Sequence, residues 1–164
     1  MKHLYLLRHA KSSWKEPQLE DIDRPLNARG KRACATMAPH ILGVDFHHVY
    51  CSPAQRARST IEGLVATQSP GEIVWQIEDA LYTFDADDIL QFCHELDDHT
   101  ASAVIVGHNP ALTDLCNDLT RAGIDNIPTC GYVAMQLTVE HWCDLDSGCG
   151  TLQEFLYPKL YKDA

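Results

Sequence analysis

A chain of 164 residues, 45% hydrophobic and 22% charged, is the size of one domain and can bury a core of its own. A formal net charge of −10 excludes a nucleic-acid binder, which needs a basic surface, and no apolar run approaches the ~20 residues of a bilayer span. Seven cysteines, an odd number with no CxxC pair, exclude a disulfide framework and a zinc ribbon, and read as small buried hydrophobes in a reducing compartment.

Residues 3–8 (HLYLLR) predict a strand that runs into the Arg8-His9 pair. Arg8, His9 and Lys11 interrupt the apolar run too early for a signal peptide, so the chain reads as cytoplasmic. Residues 12–26 are polar, contain Pro17 and Pro25, and read as a loop. Residues 27–42 predict a helix capped by Asn27 and bent near its end by Pro39. Residues 47–51 form a short strand, and Ser52-Pro53 opens a helix to about Val65 with Ser52 as its N-cap. A strand at 73–77 and a polar connection at 78–85 precede a helix at 86–97, with Ile89, Leu90, Cys93 and Leu96 on one face. Residues 102–106 are the clearest buried strand; 107–110 turn the chain into a helix ending near Arg121. Residues 132–138 and 151–157 alternate as the last two strands, joined by the turn-rich stretch 144–150.

Strands separated by helices predict βαβ units. The expected fold class is α/β: a single domain over residues 1–164, a three-layer sandwich whose mostly parallel sheet is flanked by helices, with one antiparallel strand. Sites in such sheets lie at the carboxyl ends of the strands. Three segments fall there: Arg8-His9, residues 52–56 and residues 107–109.

These segments hold the parts that phosphoryl transfer needs. Arginine forks match the oxygens of a phosphoryl group, and a neutral imidazole is a good nucleophile near neutral pH. Arg8, Arg56, His9 and His108 supply them, with Arg56 in the first turn of its helix, where backbone N–H groups also favour an anion. The remaining histidines show no metal-ligand spacing, and His47-His48 would point to opposite faces of a strand. No Walker-type glycine loop is present.

LLRHAKS at 6–12, SPAQRARST at 52–60 and VGHNP at 106–110 resemble the three signature segments of the histidine phosphatase superfamily, the phosphoglycerate-mutase-like group. The short chain, RHAKS and DRPLNARG at 23–30 resemble its SixA-type phosphohistidine phosphatase branch most. The resemblance implies a metal-independent, cofactor-free phosphatase. His9 would attack phosphorus, Arg8 and Arg56 would bind the phosphoryl oxygens, and a protonated His108 would stabilise the transition state. Arg24 would add a contact at the rim, or pair with Asp21 or Asp23. Ala10 stands where the commoner motif has glycine. Glu78 is the nearest match to the family's general acid, with Asp79, Asp85 and Asp87 close by. The implied substrate is phosphohistidine on a protein; the alternatives are a small phosphate ester, or a non-catalytic module that only binds a phosphorylated ligand. Nucleic acid and membrane are not expected partners.

Two rival motifs fit less well. Cys51 and Arg56 are separated by four residues, one short of the C-x5-R loop of cysteine phosphatases. Asp144-Leu145-Asp146-Ser147 resembles the nucleophile motif of haloacid-dehalogenase-type enzymes, yet only 18 residues follow Asp146.

Overall fold

The computed structural model describes residues 1–43, 46–67 and 73–161. In chain order they form β1 (Lys2–Arg8), α1 (Ala28–Ile41), β2 (Val49–Cys51), α2 (Gln55–Val65), β3 (Trp75–Ile77), α3 (Ala86–His94), β4 (Ser102–Gly107), α4 (Ala111–Thr120), β5 (Tyr132–Leu137) and β6 (Gly150–Leu156). One sheet takes the order β3-β2-β4-β1-β5-β6. Its first four strands pair in parallel, and β5 runs antiparallel to both β1 and β6. The single reversed strand expected from the sequence is therefore β5.

The period-2 alternation of β1 decides how the layers form. Tyr5 and Leu7 enter the core shared with α1 and α2, while Leu4 and Leu6 enter the core shared with α3 and α4. Both faces are covered, which is why this strand reads as a continuous apolar run. Trp142 is fully buried in the second core. Five cysteines are buried, Cys149 is half-buried and Cys143 is exposed, all as free thiols. No helix among the described residues is long and apolar enough to cross a membrane.

Asn27 caps α1 as expected, its side chain accepting from the Gly30 N–H at 2.8 Å. The start of α2 differs from expectation. It begins at Gln55, and Ser52 is not its N-cap. The Ser52 N–H still donates to the Val106 carbonyl at 3.0 Å, so Ser52 extends the sheet ladder and cannot yet begin a helix. β3 is limited to three residues because β2 offers only three to pair with. α3 stops at His94, where Glu95 and Leu96 tighten into i→i−3 bonds.

Candidate active site

Strand order builds the site. β2, β4 and β1 are neighbours, with Arg8 opposite Gly107 and Cys51 opposite Val106. The ladder continues past the strands: the His9 N–H donates to the Gly107 carbonyl at 3.1 Å. Residues distant in sequence thus leave the sheet side by side. Around them lies a cavity of about 320 Å³ lined by Arg8, His9, Lys11, Ser12, Trp14, Asp21, Arg24, Arg56, Phe84, His108, Asn109 and Thr129. The sheet edge brings together the four residues singled out in the sequence, and Arg24 joins them.

His9 is 8% exposed, and its Nδ1 lies 2.7 Å from the Ala10 carbonyl oxygen. A carbonyl only accepts, so Nδ1 carries the hydrogen and Nε2 keeps its lone pair. The Ala10 N–H is held in turn by Thr60 Oγ1 at 2.8 Å, and Thr60 donates to the Arg56 carbonyl at 2.7 Å. Burial above all, and then the charges of Arg56, Arg8 and Arg24, push the His9 pKa down to about 4, although its bond to Ala10 works the other way. His9 is a neutral imidazole at pH 7.

His108 departs from expectation. Burial first, then His9 and Arg56, push its pKa down to about 3, so in this cavity it is neutral rather than protonated. Its ring centroid lies 5.2 Å from that of His9 and 5.6 Å from those of Tyr82 and Phe84. Ser52 Oγ lies 2.7 Å from Nε2 and accepts from the Ala54 N–H at 3.2 Å. The Ser52 hydroxyl can then donate to Nε2, which leaves the hydrogen of His108 on Nδ1.

Asp21 is a lining residue that sequence reasoning named only as a salt-bridge partner of Arg24. Its Oδ2 accepts from Arg56 Nη2 at 2.9 Å and from the Tyr82 hydroxyl at 2.6 Å; its Oδ1 accepts from Arg24 Nε at 3.2 Å; its carbonyl accepts from Arg56 Nη1 at 2.6 Å. Burial raises its pKa, but the bonds from Tyr82 and Arg56 prevail and hold it near 2. Arg24 also donates to Ser12 Oγ at 2.7 Å and lies 3.5 Å from the ring centre of the exposed Trp14. The hydrogen bonds from Arg56 to Asp21 bridge 35 residues of sequence, and no local pattern announces them.

Glu78 is not brought to the cavity. It precedes a short 3-10 helix at Asp79–Leu81, and its carboxylate accepts from Gln76 Nε2 at 2.6 Å. Asp79, Asp85 and Asp87 are not lining residues either. Cys51 is fully buried, donates to the Ser52 carbonyl at 3.3 Å, and burial pushes its pKa to about 12, so it packs as a thiol. Asp144 lies in a short 3-10 helix on the far hairpin, away from the cavity. Among the described residues, no group of three or more His, Cys, Asp or Glu side chains is placed to hold a metal ion.

Four buried side-chain polar atoms have no hydrogen-bond partner among the described residues: Arg8 Nε, Arg56 Nε, His108 Nδ1 and Arg58 Nε. The first three belong to residues lining this one cavity. A buried donor left unpaired costs ~1–3 kcal/mol, so these side chains are held in place at some cost to the fold.

The α/β sheet gathers arginines and histidines at its carboxyl edge, an arrangement whose charge and geometry suit a phosphoryl group. The profile of the histidine phosphatase superfamily (branch 1) matches residues 4–90, and the chain belongs to that superfamily. An uncharacterized protein of Mycobacterium tuberculosis is 29% identical, over 93% of this chain and 100% of its own. A protein assigned as the phosphohistidine phosphatase SixA of Nakamurella multipartitia superposes with a TM-score of 0.78 at 23% identity, covering 96% of both chains. A protein histidine phosphatase SixA complexed with tungstate gives 0.79 at 21%, covering 98% of this chain and 99% of the other. A chain assigned as an alpha-ribazole-5'-P phosphatase of Escherichia coli gives 0.66 at 17%, covering 96% and 98%. At these identities the superpositions show a shared fold, phosphoglycerate-mutase-like, and it is common to phosphatases of protein and of small-molecule substrates.

Proposed function

We propose that this chain is a phosphohistidine phosphatase that works through a covalent phosphohistidine on His9. The observation that carries the reading is the tautomer of His9. Nδ1–H is tied to the Ala10 carbonyl, and Nε2 offers its lone pair to a cavity lined by Arg8, Arg56 and His108.

In the proposed reaction Nε2 attacks phosphorus, the P–N bond of the substrate phosphohistidine breaks, and the leaving imidazole takes a proton from water. The side chains of Arg8, Arg56 and His108 surround the non-bridging oxygens, where charge must be stabilised. Water then attacks the phosphorus bound to Nε2, releasing inorganic phosphate and restoring His9. Among the described residues, the only carboxylate lining the cavity is Asp21, which is ionised and held by three side chains, so it is a poor acid. An alkoxide leaving group would want an acid worth ~10²–10⁴-fold. The imidazole of phosphohistidine needs that help far less, and this favours it over a sugar phosphate. Work in the cytoplasm on a phosphorylated protein fits the free cysteines and the short, lid-free connection between β3 and α3.

The test is hydrolysis of a phosphohistidine peptide and of p-nitrophenyl phosphate, with phosphoenzyme trapped by rapid quench into base. The expected result is a higher kcat/KM on the peptide and an acid-labile phosphoenzyme lost in His9→Ala. Turnover that survives His9→Ala refutes the nucleophile. A preference for a small phosphomonoester over every phosphohistidine peptide moves the substrate to that class. Phosphopeptide binding with no turnover of either substrate would make the chain a binding module.

A further inference from the structure

A second cavity of about 630 Å³ opens along α1. It shares Lys11 and Thr129 with the cavity at His9, so the two form one continuous surface. Lys11, Arg29, Arg32 and Lys159 line it, and no acidic side chain does. All four cations are exposed, and none makes an ion pair or side-chain hydrogen bond among the described residues. In a chain of net charge −10 with only 13 Lys and Arg, this gathering of uncompensated positive charge is the reverse of the average surface.

The local fold holds it in place. The first turn of α1 contains no acidic residue, so its positive dipole end adds to Arg29 and Arg32 rather than being neutralised. Gly30 lets that turn press on the segment after His9: a Cβ there would sit 2.2 Å from the Lys11 carbonyl oxygen. Arg29 and Arg32 lie one turn apart on one face, ~5–6 Å between their Cβ atoms. Alternate side chains of an extended peptide are spaced ~6.8 Å apart. Tyr157 and Pro158 add apolar surface to the lining.

We propose that this groove binds an acidic segment of the protein that carries the phosphohistidine. Asp or Glu side chains flanking the modified histidine lie along α1 while the phosphoryl group enters at His9. A chain with carboxylates at intervals matches cations drawn from three separate parts of the fold; one compact anion would meet only part of them. The identity of the carrier rests on the phosphohistidine reading above.

The experiment compares two phosphohistidine peptides, one flanked by glutamates and one by glutamines, with p-nitrophenyl phosphate as a substrate that does not reach α1. The wild-type protein should favour the glutamate peptide about tenfold in kcat/KM, through KM, and the advantage should shrink as salt rises. Arg29→Gln/Arg32→Gln should abolish the advantage while kcat and the p-nitrophenyl phosphate rate stay within about twofold. Lys31→Gln removes one positive charge from the same helix outside the groove, and should leave the advantage intact. Equal kcat/KM for the two peptides in the wild type overturns the proposal, as does an equal loss in Lys31→Gln. If no phosphohistidine peptide is hydrolysed, it is the substrate reading that fails. The groove is then read directly by anisotropy of a labelled, unphosphorylated glutamate-rich peptide, which should bind the wild type and not the double variant; absence of binding overturns the proposal. A bisphosphate ester that outcompetes its monophosphate, with no gain for the acidic peptide, assigns the groove to a small anionic tail and also overturns it.

Discussion

Two buried neutral histidines make the folded protein sensitive to mild acid. The pKa of His9 is depressed from 6.5 to about 4 and that of His108 from 6.5 to about 3. Above the ordinary value both are neutral whether folded or unfolded, and they contribute nothing to the pH dependence. As pH falls below 6.5 the unfolded chain takes up protons that the folded chain refuses, so stability is lost, until about pH 4 for His9 and about pH 3 for His108. At pH 5 the shortfall is ~1.5 pH units, or about 2 kcal/mol for each histidine. Both folded histidines are neutral at pH 5, so the two contributions add to about 4 kcal/mol. Asp21 does not interfere: its pKa is held near 2, below the ordinary 3.8, so its contribution is present throughout this window and is lost only in stronger acid. Urea unfolding at pH 7.5 and pH 5, followed by the fluorescence of the buried Trp142, measures the difference. The wild type should lose about 4 kcal/mol between the two, and His9→Asn/His108→Asn should lose almost none. A pH slope that survives the double substitution refutes the assignment of neutral histidines.

Cys51→Ala should leave kcat unchanged and cost about 1 kcal/mol in urea unfolding, because a buried thiol is lost and no nucleophile is. Thr60→Val strands the buried Ala10 N–H and costs ~1–3 kcal/mol; because Ala10 anchors Nδ1 of His9, steady-state kinetics should show kcat falling with KM little changed. Gly30→Ala forces a methyl against the Lys11 carbonyl and should destabilise by about 3 kcal/mol, visible as a lower Tm.

The parts of this protein that were legible in its sequence are those written locally. β1 and β4 announce themselves as short apolar runs, Asn27 as a cap, Arg8, His9 and His108 as residues at strand ends, and Arg56 as a residue in the first turn of a helix. Sequence reading failed where a residue answers to two partners. Ser52 has the composition of an N-cap, yet its N–H belongs to the β4 ladder and its hydroxyl to His108. Glu78 matches a motif position, but its side chain turns to Gln76. The protonation state of His108 depends on burial and on three separate segments, and no motif encodes that sum. Asp21 lies in a polar loop, and its importance comes from Arg56 and Tyr82 reaching it across 35 and 61 residues.

The role of Asp21 explains how a site rich in positive charge persists before substrate arrives. Its carboxylate and carbonyl occupy both Nη atoms of Arg56, and the carboxylate also holds Arg24. Guanidinium groups so fixed keep their orientation without being neutralised at every donor: Nε of Arg56 stays unpaired, as does Nε of Arg8. The free fold therefore bears an unmet hydrogen-bonding cost of ~1–3 kcal/mol at each of these atoms. The orientation of these side chains is set before an anion arrives, so little reorganisation is needed to meet one. The same division runs through the whole molecule. Seven of the 13 Lys and Arg line the two joined cavities, with Asp21 the one acidic residue among the lining side chains, and the remaining chain is left strongly negative. The net charge of the rest of the chain opposes an anion, and the cations gathered along α1 and at His9 offset it there.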